Sequence, residues 1–427
     1  MTCFLRRLRK QLSEETITAS AESVRRLVVT KQHLAGKLPA KATCKDIISV
    51  VRDLTYVQWD PTSIVAPSHV ISLWSRIGDF QLSDLDRLMW EDKMLFLHWT
   101  PIASIVLTED YPLYYSLMRR YPNSLSDSWG TQRARARKFL AEHKPLRTAV
   151  LRELKSGPLV LNQFGGYVRT KRSADGWTTG NKVSLMLFHL LMSGEVMVVG
   201  RNGNQNIWGL PEEFLPSSAE KKLLTEQEVE FEAAQKAIRA LGTASAREIH
   251  YYFPRGCYQN LKQTLKRLHE QSLIHRIHVT GLDDRDERYI HHEDIPLLQA
   301  MASGAWEARM ALVAPFDNLI CGRGRTNRIF GFDYVHEQFL PKSKRKFGTY
   351  VFPILWGDKI IGRVDPEMDR EEERLLVNSV HAEPGAPRDK EVASEIRETI
   401  ERLADFLGAK EIEYTAQVPE AWKNSLR

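Results

Sequence analysis

Apolar positions along this chain recur every three to four residues in long stretches, and these are punctuated by short runs in which apolar and polar residues alternate. The first pattern predicts amphipathic helices and the second half-buried strands. Two stretches carry the same order of elements, an internal repeat. In the later copy, residues 231–241, 243–252 and 258–271 read as three helices, and 272–279 with 288–291 form a ribbon around the polar turn 281–287. In the earlier copy, 146–155, 157–164 and 181–193 read as helices. A ribbon at 195–199 then turns at 201–204 and returns through Ile207, Trp208 and Leu210. Three helices followed by a two-strand ribbon form the winged helix, a helix-turn-helix variant.

The N-terminal segment fits a first copy. Residues 23–34 are helical, Thr43 and Asp46 make a capping box, and Ile47, Val50, Val51 and Leu54 follow on one helical face. The chain then becomes extended at 56–60, and a further helix is expected at 83–91. The C-terminal third differs: strands at 350–356, 359–365 and 375–380 predict an antiparallel meander. A final helix should lay Val392, Ile396, Ile400, Leu403 and Leu407 over that sheet, after a Pro- and Gly-rich loop at 383–388. The expected class is α+β, in four segments: 1–130, 131–216 and 217–300 as winged-helix units, and 301–427 as a β-rich domain with its helix.

Composition narrows the function. With 427 residues, 43% hydrophobic and 27% charged, the chain can bury several cores without staples. Cys3, Cys44, Cys257 and Cys321 lie far apart with no C-x-x-C pair, which argues against a zinc ribbon or a disulfide framework and for a reducing compartment. The basic segment 1–11 lacks an apolar core, and no run is long enough to span a bilayer, so a cytoplasmic, nucleoid-associated protein is expected. The net charge of +6 and pI near 9.0 permit a polyanionic partner. Its clustering says more. Basic runs fall at Arg133, Arg135, Arg137 and Lys138, at Arg323, Arg325 and Arg328, and at Lys342, Lys344, Arg345 and Lys346. Any one run reads equally well as solvated surface; three of them with aromatics between favour nucleic acid.

The residues with chemical potential are Gln58 and Asp60. They stand two apart in an extended segment, Pro61 keeps Asp60 out of the helical region, and both side chains therefore face one way, with Trp59 pointing oppositely into the core. A carboxylate there can stabilise a cationic sugar and activate water, and an amide can hold that water by donating and accepting together. On its own, Q-x-D also fits an ordinary turn.

Gln58-Trp59-Asp60 does not stand alone. With Leu73-Trp74-Ser75-Arg76-Ile77-Gly78, Leu95-Phe96, Ala103-Ser104, Pro315-Phe316-Asp317, Arg325-Thr326, Phe330-Gly331-Phe332-Asp333-Tyr334 and Gly362-Arg363-Val364-Asp365, it resembles the YcaQ/AlkZ-type winged-helix DNA glycosylases, in order, over roughly 17–385. The resemblance implies tandem winged-helix units in a C-shaped arrangement around a DNA-sized channel. It also implies excision of N-alkylated purines, unhooking of interstrand crosslinks, no metal or other cofactor, and catalysis by Gln58 and Asp60 in the family's Gln-x-Asp version. A cationic alkylated base is already a good leaving group, so no strong general acid is needed. Two places depart from the family pattern. His69 is followed by Val70 where paired histidines are common, and Trp99-Thr100-Pro101-Ile102 replaces Trp-x-His-Glu. Both bear on lesion specificity and crosslink activity rather than on the fold.

DNA contacts are expected from His69, Arg76, Arg201, Arg323, Arg325 and Lys346, the last three because local charge and resemblance agree. Arg76 could equally pair with Asp79 or Asp84, and Arg201 sits at a wing tip that could be a solvated turn. His275, His278, His291 and His292 fall on or beside one ribbon without metal spacing, and His98 reads as a buried, hydrogen-bonded residue. The leading reading is a monofunctional DNA glycosylase acting as a monomer on duplex DNA. The rival is a non-catalytic winged-helix regulator that would read bases through Arg247 and residues 259–263.

Overall fold

The computed structural model describes residues 16–100, 102–126, 129–164, 182–254, 256–282, 287–304 and 306–426. The segment 1–11 with Cys3, Pro101, and the middle of the turn expected at 281–287 lie outside the described residues. The protein is α+β, with helices and several sheets. It divides into two compact units, each discontinuous in sequence: Met1–Leu82 with Ala237–Glu248 and Leu268–Arg427, and Ser83–Lys236 with Ile249–Arg267.

The first unit holds two sheets. The larger runs Met310–Leu312, Phe352–Trp356, Lys359–Asp369, Arg374–Ala382 and Glu411–Gln417 in order. Its first four strands pair antiparallel, so the expected meander is present, with one strand added on each side. The last strand is parallel to its neighbour because helix Lys390–Leu407 carries the chain back between them. That helix buries Val392, Ile396, Ile400 and Leu403, the face its spacing indicated. The smaller sheet sets Ile17–Ser20 parallel to Ile274–Thr280, which pairs antiparallel with Arg288–His291, which pairs in turn with Thr243–Ser245. A core of Val24, Leu27, Val28, Leu34, Ile277, Val279, Leu298, Val313, Ile320 and Phe332 joins the helix Ala21–Lys31 to both sheets.

In the second unit, helices Lys144–Leu154 and Lys182–Met192 pack through Leu146, Val150, Leu154, Val183, Leu187 and Leu190. The ribbon follows as Met197–Asn202 and Gln205–Gly209, turning at Gly203 (φ 55°). A separate hairpin pairs Leu95–Trp99 with Ala103–Leu107.

Both repeats depart from the sequence reading at the same place. The helix expected at 157–164 is a strand, Leu159–Val160, followed by one tight turn, and the strand pairs with the returning ribbon strand at Trp208 and Ile207. In the later copy, Thr243–Ser245 pairs with the returning strand at 288–290 before helix Ala246–Tyr252 begins. Gly157 (φ 132°) takes the backbone out of the helical region just before Leu159 in the first case, and β-branched residues favour the ladder in both.

Candidate active site

The site lies in the first unit and begins with a helix that delivers the Gln-Trp-Asp segment. Helix Cys44–Leu54 buries Ile47, Val50, Val51 and Leu54 completely. The Asp46 carboxylate accepts the Thr43 N–H at 2.7 Å, closing its N-terminus. At its far end Thr55 adopts φ 68°, a left-handed conformation costly for a β-branched residue, and swings the chain into the extended pair Val57–Gln58. Tyr56 is buried, and its carbonyl accepts the Asn318 side-chain amide at 3.0 Å, pinning the segment from below.

Val57 is fully buried, while Gln58, Trp59 and Asp60 are half-buried. The expectation that Trp59 anchors in the core needs correction: its ring stacks on His69, with centroids 4.0 Å apart and planes 17° apart. The reason lies in helix Ser68–Ile77, buried along its whole length, which presents the His69 ring as a platform. Asp60 closes a turn, since the Thr62 N–H donates to its Oδ1 at 2.8 Å and the Ser68 N–H to its carbonyl at 3.2 Å. Beyond it, the Ile64 carbonyl accepts the Met368 N–H at 3.0 Å. Arg370 donates to the Ser63 carbonyl and hydroxyl and to the Val65 carbonyl at 2.6–3.2 Å. The carboxylate thus sits in a backbone fixed from several directions, the kind of preorganisation an electrostatic group needs.

Behind Asp60 lies Tyr350, 1% exposed. Burial raises its phenol above the ordinary range and the Asp60 charge adds to this, with Ser68 acting the other way. Tyr350 is placed by Asp365, whose carboxylate accepts the Tyr350 N–H at 2.7 Å and the Thr349 N–H at 3.0 Å. Burial raises the Asp365 carboxyl and these backbone bonds work against it. Gly348 (φ 150°) is required here, because a Cβ would sit 2.2 Å from the Asp365 carboxylate. Sequence reasoning found Asp365 only as part of a resembling block and missed Ser68 and Tyr350, which no spacing connects to Asp60.

The expected DNA contacts separate by depth. Arg76 is a correction: its side chain and that of Asp317 are both 0% exposed and bond at 2.6 and 2.8 Å. Asp317, rather than Asp79 or Asp84, is its partner, and no phosphate can reach it. Arg325 is likewise committed, to Glu248 at 2.9 Å and to the carbonyls of Thr243 and Leu241. Arg288, wholly buried, grips Glu248 at 2.7 Å. Burial acts to raise Glu248, but Arg325 and Arg288 outweigh it and hold the carboxyl down at about 2. His69 is 4% exposed beneath Trp59, so it is a platform rather than a surface contact. Arg201 is half-buried and bonds Asn206 across its hairpin. Arg323 and Lys346 are exposed, as are Lys342 and Lys344 between them, with Lys346 over the Phe347 ring at 4.7 Å.

His98, in the second unit, is 4% exposed, and burial holds its imidazole down at about 3, hence neutral. Its Nδ1 meets no hydrogen-bond partner among the described residues, unlike the expectation; it packs edge-on against Tyr114. Burial likewise lowers His291 to about 3, and no His, Cys, Asp or Glu cluster among the described residues has the form of a metal site. Cys44, Cys257 and Cys321 form no disulfide. At the start of the stretch on which the regulator reading relied, the Gln259 and Asn260 backbone N–H groups donate to the Glu230 carboxylate, as does the Thr264 hydroxyl just beyond that stretch, which ties its start to the fold.

The fold has a solved counterpart. The structure of the Streptomyces sahachiroi DNA glycosylase AlkZ is similar to this one with a TM-score of 0.64 at 16% sequence identity, over 94% of this chain and 100% of that one. At that identity the likeness shows a shared fold. The family model described as DNA glycosylase AlkZ-like matches residues 51–406, and the chain belongs to that family of DNA glycosylases. No helix among the described residues is long and apolar enough to cross a membrane.

Proposed function

We propose that this glycosylase hydrolyses the N-glycosidic bond of N-alkylated purines in duplex DNA, with Gln58 and Asp60 as its catalytic residues. The observation that carries the reading is the half-buried Asp60 carboxylate, next but one to Gln58 and held by a turn that Arg370, Met368 and Ser68 brace. As the base departs, positive charge grows on the sugar; Asp60 stabilises it and takes up a hydrogen bond from the attacking water, and Gln58 orients that water. A cationic base leaves without a strong acid, and none of the reading requires one. The enzyme is monofunctional: no lysine adjoins Gln58-Trp59-Asp60 to attack the sugar. Interstrand crosslinks joined through N-alkylated purines belong to the same substrate class.

The four-segment organisation, with winged-helix units at 1–130, 131–216 and 217–300, belongs to this proposal. What supports it is the matching third strand on the ribbon in both later copies. The protein acts as a monomer in the cytoplasm, where Arg323 and Lys346 contact phosphates. The test incubates the purified protein with duplexes carrying N7-methylguanine, N3-methyladenine or a mustard crosslink. Free base should appear, and the strand should break only after alkali. Cleavage without alkali, or borohydride trapping of a protein–DNA adduct, would contradict the monofunctional mechanism.

A further inference from the structure

Phe339 is 56% exposed, more than any other described aromatic ring, and Val335, four residues before it, is 48% exposed. A lone exposed apolar side chain needs no explanation. What sets Phe339 apart is how firmly its backbone is held and which residues share its loop. It ends the tight turn Glu337–Phe339, where the Leu340 N–H donates to the Glu337 carbonyl at 2.8 Å. The buried Glu337 carboxylate accepts three successive backbone N–H groups, those of Lys346, Phe347 and Gly348, at 2.9, 2.8 and 3.1 Å. Arg345 reaches back to the carbonyls of Leu340 and Gln338, on either side of Phe339 in the chain, at 3.0 and 3.4 Å. Phe316 stacks on His336 with centroids 4.6 Å apart, and the Phe339 ring lies 6.3 Å from each. The loop closed in this way carries the exposed Lys342, Lys344 and Lys346. Phe316 also heads the stretch whose Asn318 amide holds the Tyr56 carbonyl at 3.0 Å, two residues ahead of Gln58.

We infer that Phe339 is a wedge: as Lys342, Lys344 and Lys346 seat on the phosphates of a duplex, its ring enters a base step and partly unstacks it beside the alkylated base. The inference rests on the reading of this loop as a phosphate-binding surface. Charge selects the occupant, because an apolar ring among exposed cations suits a polyanion that stacks apolar base faces between its phosphates. Duplex DNA has that chemistry. An apolar side chain that enters a base step must offset the unstacking energy with contacts that the deformed duplex allows. The cost is least where damage has already weakened the pair, so a wedge favours the damaged site. The side chain must also keep its place against the stack. The Glu337 carboxylate, the Arg345 clasp and the Phe316–His336 stack supply that stiffness. Phe339 touches no reacting atom in this role and is a positioning residue.

The test uses the full chain and a duplex carrying 2-aminopurine beside N7-methylguanine on a 2′-fluorinated sugar, which slows base loss, so that distortion is read apart from chemistry. The wild type should raise the 2-aminopurine fluorescence, since an unstacked base emits more strongly. Phe339→Ala should lose most of that rise, and Phe339→Leu, still an apolar wedge, should keep part of it. On the ordinary sugar, single-turnover release by Phe339→Ala should be slower by roughly 10-fold, a modest part of the cost of unstacking a base step. Its melting temperature should stay near wild type because the ring is exposed, and its low-salt affinity should stay within about 3-fold because the lysines remain. No rise with the wild type, or a rise that survives in Phe339→Ala, would overturn the inference. So would dimerisation of the wild type that Phe339→Ala abolishes, which would make a second copy the partner of the ring. Lys346→Glu separates the two readings. If it weakens binding while the rise survives in Phe339→Ala, only the wedge fails; if its affinity is unchanged, the loop leaves the DNA interface and the wedge goes with it.

Discussion

Two sets of basic residues in the same unit look alike in sequence and behave oppositely in the fold. Arg76, Arg288 and Arg325 point inward and are neutralised by Asp317 and Glu248. Arg323, Lys342, Lys344 and Lys346 stay exposed along a neighbouring stretch. Arg323 and Arg325 are two residues apart on helix Arg323–Phe330, yet one faces solvent and the other closes on Glu248. The difference teaches that charge clustering in a sequence has no depth: the same run supplies both a structural clamp and a candidate phosphate contact.

The clamps should give the largest effects when broken. Asp317→Asn leaves Arg76 buried beside a neutral group, and Glu248→Gln leaves Arg288 and Arg325 unneutralised. Each should cost about 3–5 kcal/mol, read as a fall in denaturant midpoint. A loss under about 1 kcal/mol would mean that these pairs do not clamp the fold. Glu248 also has a pH signature. Its folded-state carboxyl lies below the ordinary value, so the stability it contributes is present above the ordinary carboxylate pKa and is lost as pH falls toward about 2. Glu248→Gln should flatten that acid dependence in urea melts.

The exposed set should affect binding and not folding. Arg323→Glu and Lys346→Glu should leave the melting temperature unchanged. Each should weaken binding to every duplex sequence alike, and each should lower the salt slope by about 1. Unchanged affinity at low salt would remove these residues from the DNA interface. A smaller effect belongs to Trp59→Ala: a half-buried ring stacked on His69 is worth about 1–2 kcal/mol rather than the larger cost of a core tryptophan. A loss above about 3 kcal/mol would restore the core reading.

Local pattern made much of the fold legible. Ile47, Val50, Val51 and Leu54 announced their helix, and Thr43 with Asp46 its start, because both signals lie within a few residues. The C-terminal meander and its covering helix were readable for the same reason. Strand Ile17–Ser20 was not: it is a strand because it pairs with Ile274–Thr280, and nothing near it says so. The short strands Leu159–Val160 and Thr243–Ser245 were absorbed into helices for want of their partners. At the site, Gln58 and Asp60 were found by type and spacing. The surroundings that fix them come from far along the chain, with Asn318 on Tyr56, Met368 on Ile64, and Arg370 on Ser63 and Val65. The blocks that carried the family resemblance, Asp317 and Asp365 among them, prove to be parts that hold this segment and its neighbours in place.

The central claim, that the Asp60 charge performs the chemistry, is tested most directly by Asp60→Asn, since asparagine can close the same turn on Thr62 and so preserves the backbone. The measurement is single-turnover release of N7-methylguanine from duplex DNA, with DNA affinity and melting temperature determined on the same preparation. The account predicts a rate lower by roughly 100- to 1,000-fold with both other quantities near wild type. Release at the wild-type rate would show that Asp60 is only a turn residue and would contradict the mechanism.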